Sequence, residues 1–261
     1  MMLLRQFGLV ITGLLLTSIC YATGPRVSPS LISSASDIYT IKLPPFIGSD
    51  VKQSSYLSEV VNTVIRQQKI DAILTILPLH SMVKYYLLQD NALAVLSPYL
   101  HLTASQKKDK VIIPMDDVNE SYIYYKLAHP NGLAWKGNLK NLKGLRYGVL
   151  KGVATEKYKQ SGISVKTARI DALLKKLVTK EVDFIRLPDL TADWLIEKQF
   201  SEQKNNFVKM PVSAGKMQLA IIFNKKHLKG KEGAEMFKKG FDALVKNGQF
   251  NKIKNQFLKI H

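Results

Sequence analysis

The residues whose spacing points most directly to chemistry lie between Asn141 and Thr155, in the run NLKGLRYGVLKGVAT. Arg146–Leu150 has the makeup of a short strand. Gly152 then turns the chain, and Thr155 stands where an N-cap would open a helix over Glu156–Gln160. Such a turn presents the backbone N–H groups of Val153, Ala154 and Thr155 at the positive end of a helix, a setting that suits a carboxylate or another anion. The same pattern also makes a plain strand-to-helix connection, so taken alone it leaves both uses open.

Signatures of catalysis are absent from the sequence. The histidines, His80, His101, His129, His227 and His261, have no metal-ligand spacing. There is no Gly-x-Ser-x-Gly elbow and no phosphate loop. Asp116 and Asp117 are neighbours that point apart on a strand, which is a poor arrangement for an acid/base pair. These absences point to a protein that is not an enzyme and uses neither a metal nor a cofactor.

Around that stretch the chain alternates strands and helices. Asp37–Leu43 reads as a strand, closed by Pro44-Pro45-Phe46. Leu57, Val60, Val61, Val64 and Ile65 recur at helical spacing and give an amphipathic helix. Ile70–Leu77 and Asn91–Leu96 read as buried strands, with a helix over Ser81–Gln89 between them. Lys110–Met115 and Tyr122–Leu127 read as two further strands. A second alternation follows: strand Arg146–Leu150, the helix from Thr155, strand Val165–Ala168, helix Asp171–Thr179, strand Val182–Leu187 and helix Leu190–Lys198. Phe207–Met210 and Gln218–Phe223 are expected strands. Phe237, Phe241, Leu244 and Val245 then mark a closing helix, Asn247-Gly248 stops it, and Phe250, Ile253, Phe257 and Leu258 mark a last one. This order implies α/β lobes with largely parallel sheets.

The N-terminus reads as a signal peptide. Arg5 precedes the apolar run Phe7–Ile19, and Cys20-Tyr21-Ala22 ends in small residues, so cleavage is expected after Ala22. Residues 23–36, rich in Ser, Gly and Pro, form a flexible lead-in. Cys20 is the only cysteine, so the exported chain has no disulfide and must be held by its core. Lys+Arg number 38 against 20 Asp+Glu, a formal charge of +18. The lysines are spread along the chain and thicken from Lys225 to Lys259, with no RNA-binding aromatic signature or zinc-finger spacing. That pattern gives no specific nucleic-acid partner. It does leave room for weak association with anionic envelope surfaces.

Several segments, in order, resemble the type 2 periplasmic solute-binding proteins, especially the amino-acid-binding components of ABC importers. They are Leu43-Pro44-Pro45-Phe46, Leu96-Ser97-Pro98-Tyr99, Leu142–Gly152, Leu174–Asp183 and Phe237–Phe257. The resemblance implies a two-lobed fold, each lobe a mixed, mainly parallel sheet flanked by helices, joined by two hinge crossovers. The first lobe would be discontinuous, 37–121 with 210–261, and the second would be 122–209. It also implies a periplasmic monomer that captures a small polar or anionic solute, an amino acid or a relative, for an inner-membrane ABC permease.

By the same resemblance the turn Gly152, Val153, Ala154 and Thr155 faces an interlobe cleft. Phe46, Tyr56 and Tyr99 would stack on the ligand, and Ser97 belongs to the serine-proline-tyrosine segment. The family's carboxylate-clamping arginine has no counterpart in Leu77–Lys84, where Lys84 is a loose substitute lacking the planar fork. Arg186, near the end of its strand, is a second cationic candidate. Asp189 is a candidate partner for a cationic group, but it sits where a helix N-cap belongs, and the cap is the preferred reading. Two rivals stay open: a non-transporting sensing or interaction protein, and a dehydratase-like enzyme, which would need a carboxylate or histidine facing the cleft.

Overall fold

The computed structural model describes residues 36–48, 55–88, 92–98 and 102–258, with residues 87 and 88 described by backbone alone. The expected signal peptide with Cys20, the lead-in up to residue 35, and Tyr99 lie outside them. The last lead-in residue, Ser36, opens the first strand.

β1 (Ser36–Thr40) lies between β2 (Ala72–Ile76) and β3 (Ala94–Leu96), all parallel. α1 (Tyr56–Gln68) crosses from β1 to β2. It forms where the periodicity predicts: Leu57, Val60, Val61 and Val64 are fully buried. It ends at Lys69, which takes a left-handed φ of 53° and returns its N–H to Arg66 O. The helix expected over Ser81–Gln89 begins earlier, as α2 (Leu79–Val83), and widens into a π turn over Lys84–Leu88. α3 (Ala104–Lys108) is opened by a capping box between Thr103 and Gln106.

The two strands expected at Lys110–Met115 and Tyr122–Leu127 are one, β4 (Lys110–Tyr125). The intervening residues are polar because the strand crosses between lobes there, with Asp117 and Asn119 exposed and Val118 and Glu120 buried. Its antiparallel partner, β9 (Gly215–Asn224), pairs from Lys110↔Asn224 to Glu120↔Gly215, with one bulge between Pro114 and Asp116.

Beyond the crossing come β5 (Arg146–Leu150), α4 (Glu156–Gln160), β6 (Ser164–Ala168), α5 (Ile170–Val178), β7 (Phe184–Pro188), α6 (Asp189–Phe200) and β8 (Phe207–Lys209). β6, β5 and β7 are parallel, and β7 and β8 pair antiparallel to β4. The described strands form one continuous nine-stranded sheet, β2-β1-β3-β9-β4-β7-β5-β6, with β8 on β4. The sheet is parallel on its flanks and antiparallel at its centre. α7 (Gly230–Lys246) and α8 (Gln249–Leu258) close the chain against the first lobe.

The core divides as the lobes do. Ile38, Val61, Val95, Ile221 and Phe237 belong to one cluster. Leu174, Ile185 and Leu195 belong to a second, and Tyr122, Tyr147 and Phe184 to a third, both on the far side of the crossing. On α7, Phe237, Phe241 and Leu244 face inward as expected, but Val245 is half exposed because it falls off that face.

One ion pair fixes the start of both β5 and β7. Asp183 accepts from Arg146 Nε at 2.9 Å, Arg146 Nη2 at 2.7 Å and the Arg146 backbone N–H at 2.7 Å, while its own N–H returns to Arg146 O. Burial opposes the charge of the Asp183 carboxyl, but the Arg146 bonds outweigh it and hold its pKa below the usual aspartate value. A carboxylate with a depressed folded pKa stabilises the fold above its unfolded pKa of about 3.9 and loses that contribution as pH falls through the folded value. Asp183→Asn should therefore cost about 1.5–3 kcal/mol at neutral pH and flatten the acid limb of stability in pH-dependent melts. An unchanged acid limb would remove the pair from the account.

α1 and α7 pack closely because Gly240 lacks a side chain: a Cβ there would stand 2.9 Å from Val64 Cγ1 and 2.7 Å from Gln68 Cγ. Gly240→Leu should lower stability by about 1–3 kcal/mol through overpacking, read as a lower Tm.

Candidate functional site

A cavity of about 610 Å³ lies between the lobes beside the crossing strands, within the size range of small-molecule sites, ~300–1,000 Å³. Ser97, Pro98 and Leu102 line it from the first lobe, Tyr147, Ala154 and Tyr158 from the second, and Lys216 and Gln218 from β9. β5 places Tyr147 and α4 places Tyr158, whose rings stack at 4.2 Å. Tyr158 shares a 3.0 Å hydroxyl contact with Tyr122. Burial, with the neighbouring tyrosine hydroxyls, pushes the pKa of Tyr147 and Tyr122 upward, so both stay neutral.

Arg186 on β7 and Glu120 on β4 form an ion pair at the wall of this cavity. The register Tyr122↔Arg186 on adjacent strands brings them together. Their side chains are 18% and 5% exposed, so the cost of drying falls mainly on Glu120. Burial pushes the Glu120 carboxyl above the usual range, against the opposing pull of Arg186 and Lys157. Burial likewise works against the Arg186 charge, but Glu120 and the Tyr158 hydroxyl outweigh it and raise its pKa further. Arg186 Nε is buried and has no hydrogen-bond partner among the described residues. An unsatisfied buried donor costs about 1–3 kcal/mol, which an acceptor oxygen placed there would recover.

Lys107, Lys157 and Lys216 also border the cavity, with Glu156 as the second carboxylate. Cations outnumber anions, so the cavity favours an anion. Among the described residues no group of three or more His, Cys, Asp or Glu is arranged to hold a metal ion.

The structure gathers Ser97, Val153, Ala154 and Arg186, of the candidates, around this cavity. It disposes of the anion turn differently from expectation. The Val153 N–H donates to Leu150 O at 3.1 Å. The Thr155 N–H donates to Glu156 Oε2 at 3.0 Å, so the chain's own carboxylate takes the anion's place. Thr155 stands at the N-cap position but makes no side-chain cap bond, and the helix it opens is only five residues long. Gly152 adopts φ 102° and faces the first lobe; a Cβ there would stand 3.2 Å from Leu79 Cγ. Val153 also packs against the first lobe's core, so an apolar contact joins the lobes where the resemblance would put an arginine clamp.

Phe46 and Tyr56 do not face the cavity. Phe46 is 1% exposed and Tyr56 is fully buried, their rings meeting edge to face at 5.9 Å, and the Tyr56 hydroxyl donates to Asp116. Both are core residues because the turn Leu43–Ile47 folds back on α1, where Leu57 N–H reaches Phe46 O. Lys84 is exposed on the π turn, 5.9 Å over the Tyr85 ring, and is not part of the cavity wall. Asp189 is not an N-cap: β7 runs on through Pro188, paired with Glu120, and Pro188 becomes the junction residue, leaving Asp189 as the first residue of α6. Asp189 Oδ1 is buried without a partner among the described residues.

Glu120, Tyr147, Tyr158, Lys216 and Gln218 escaped the sequence reading. Glu120 sat in a polar gap between two expected strands; its one available signal was that Val118, Glu120 and Tyr122 alternate in phase with β4.

No family model matches the chain, and no curated protein matches it. Solved structures do. The GluR0 ligand-binding core from Nostoc punctiforme in complex with L-glutamate has 16% identity and a TM-score of 0.67 over 85% of this chain and 98% of that one. The substrate-binding protein of an amino acid ABC transporter has 14% identity and a TM-score of 0.66 over 86% and 100%. A histidine kinase sensor domain similar to periplasmic binding proteins has 12% identity and a TM-score of 0.68 over 86% and 96%. With the crossing strands and the interlobe cavity, these likenesses give the chain the two-lobed fold of the type 2 periplasmic binding proteins.

Proposed function

We propose that the chain is a periplasmic solute-binding protein, exported by a signal peptide cleaved after Ala22, that holds a small anionic solute between its lobes for an ABC permease. The observation that carries this reading is the buried Nε of Arg186, without a hydrogen-bond partner among the described residues, at the wall of a cation-rich cavity. The solute is an organic acid or an acidic relative of the amino acids. A zwitterionic α-amino acid would ordinarily be held by a forked clamp, and Leu79 fills that neighbourhood. Calorimetry on protein stripped by denaturation and refolding, against amino acids, dicarboxylates and other small organic acids, should find an acidic ligand. Arg186→Ala should weaken that ligand about tenfold or more. Silence across the panel, or tighter binding of neutral amino acids, would remove the proposal.

A second reading, a sensing or interaction protein, is favoured by one specific set of contacts. The Val153 and Thr155 N–H groups are satisfied internally, and Leu79 meets Gly152 without any ligand. A ligand closes a hinge only by its difference in affinity for the two states, so a contact already present in the closed form reduces the opening that a ligand can reverse. Gly152→Val puts a branched side chain against Leu79 at a φ that such residues avoid. It should push the lobes apart, read as a larger radius of gyration in solution scattering without ligand. If the wild type is already open and Gly152→Val leaves the radius unchanged, the sensing reading loses its support.

A further inference from the structure

We infer that the loop Lys225–Gly230 and the first turn of α7 form a docking tip for an anionic lipid surface. Leu228 is 98% exposed, against 62% for Leu127, the next large hydrophobic. One exposed leucine is ordinary by itself; its surroundings are not. Lys225, Lys226, Lys229 and Lys231 all lie within three residues of it.

The loop holds Leu228 outward. The Lys225 N–H reaches Asp109 O at 2.8 Å and the Lys226 N–H reaches Asn224 Oδ1 at 3.1 Å. The His227 N–H bonds Asn224 O at 3.1 Å, the Lys229 N–H bonds His227 Nδ1 at 3.2 Å and the Gly230 N–H bonds His227 O at 2.8 Å. A Cβ at residue 230 would stand 1.8 Å from Asn224 O, so the turn requires glycine. A loop tied on both sides of Leu228 holds that side chain away from the core.

Two of the four lysines are held in exposed ion pairs, while Lys225 Nζ donates to Lys108 O at 2.9 Å. Lys226 pairs with Asp109 at 3.1 Å and Lys229 with Asp71 at 2.9 Å, and all four side chains are about half exposed. Solvent-screened pairs of this kind are weak, and a lipid phosphate can replace the carboxylate. An aliphatic tip ringed by ammonium groups matches a bilayer interface, where leucine enters the acyl boundary and lysines stay with the headgroups. A nucleic acid offers no apolar layer for Leu228, and the one ring of the tip, the His227 imidazole, is tied into the loop by accepting the Lys229 N–H at Nδ1. A stable protein partner needs about 1,000 Å² of complementary surface, whereas a convex tip with one apolar side chain needs only local insertion.

The test is co-sedimentation of the full chain with vesicles of phosphatidylglycerol and phosphatidylcholine in equal parts, read as a ratio to binding on phosphatidylcholine alone. The ratio should exceed one and fall toward one as salt rises. Lys229→Gln and Lys231→Gln should each reduce it on the order of fivefold. Leu228→Ser should reduce it with its salt dependence and melting temperature unchanged. Lys198→Gln, on α6 of the other lobe, should leave it intact. A ratio near one, an equal loss with Lys198→Gln, or retention in the three tip variants would overturn the inference. So would binding that appears only when the vesicles carry membrane protein, which would assign the tip to a protein partner.

Discussion

Everything in this fold hangs on the antiparallel ribbon of β4 and β9. It is the only pairing in which the two strands run from one lobe into the other, among the described residues, and each of its ends is anchored by a buried or nearly buried carboxylate. In the first lobe Asp116, just past the bulge, accepts from the Tyr56 hydroxyl and from Lys254 Nζ at 2.5 Å, which ties the ribbon to α1 and α8. In the second lobe Glu120 accepts from Arg186 and ties the ribbon to β7. Three residues separate the two anchors. Desolvating two carboxylates so close together is costly, and each is tolerated because a cation stands beside it. The cavity lies beside the segment between them, lined by Glu120, Lys216, Met217 and Gln218.

This arrangement explains why most of the fold was legible and much of the site was not. Strands and helices whose residues face one core declare themselves by period. The α1 stripe, the run Arg146–Leu150 and the Phe237–Leu244 face all fell where their spacing put them. The crossing strand obeys two environments in turn, alternating buried and wetter positions up to Asn119 and buried at every position from Glu120 to Ile123, so its polar centre read as a gap. Glu120, and Lys216 just before the expected strand Gln218–Phe223, were lost in such stretches. Phe46 and Tyr56 erred the other way: aromatic residues near a loop were expected to meet a ligand, but the fold folds the loop inward and uses both rings as core. Sequence spacing does not say which side of a turn becomes the inside.

The turn after β5 shows the same limit at the level of single atoms. Its geometry came out as the sequence implied, strand, glycine with positive φ and short helix. Its chemistry did not, because Glu156 reaches back to the Thr155 N–H and Val153 closes a turn onto Leu150. Backbone donors are independent of side-chain identity, but whether they stay free depends on the next residue. An acidic residue at the first helical position neutralises the positive end that an external anion would use. The candidate anion contact thus moves from the turn to Arg186, whose Nε–H has no acceptor among the described residues.

Two contacts then divide the work, Leu79–Gly152 between the lobes and Glu120–Arg186 at the cavity wall. The Leu79–Gly152 contact is apolar and forms without a ligand, so it carries no information about the solute. The Glu120–Arg186 pair is polar and incomplete, so its free energy changes when an acceptor arrives. A protein with only the second would close on binding; one with only the first would stay closed. Possessing both, the chain can couple solute to shape only through the difference that Arg186 makes. That difference, rather than the size of the cavity, decides between a carrier that must open and close and a scaffold that holds one form.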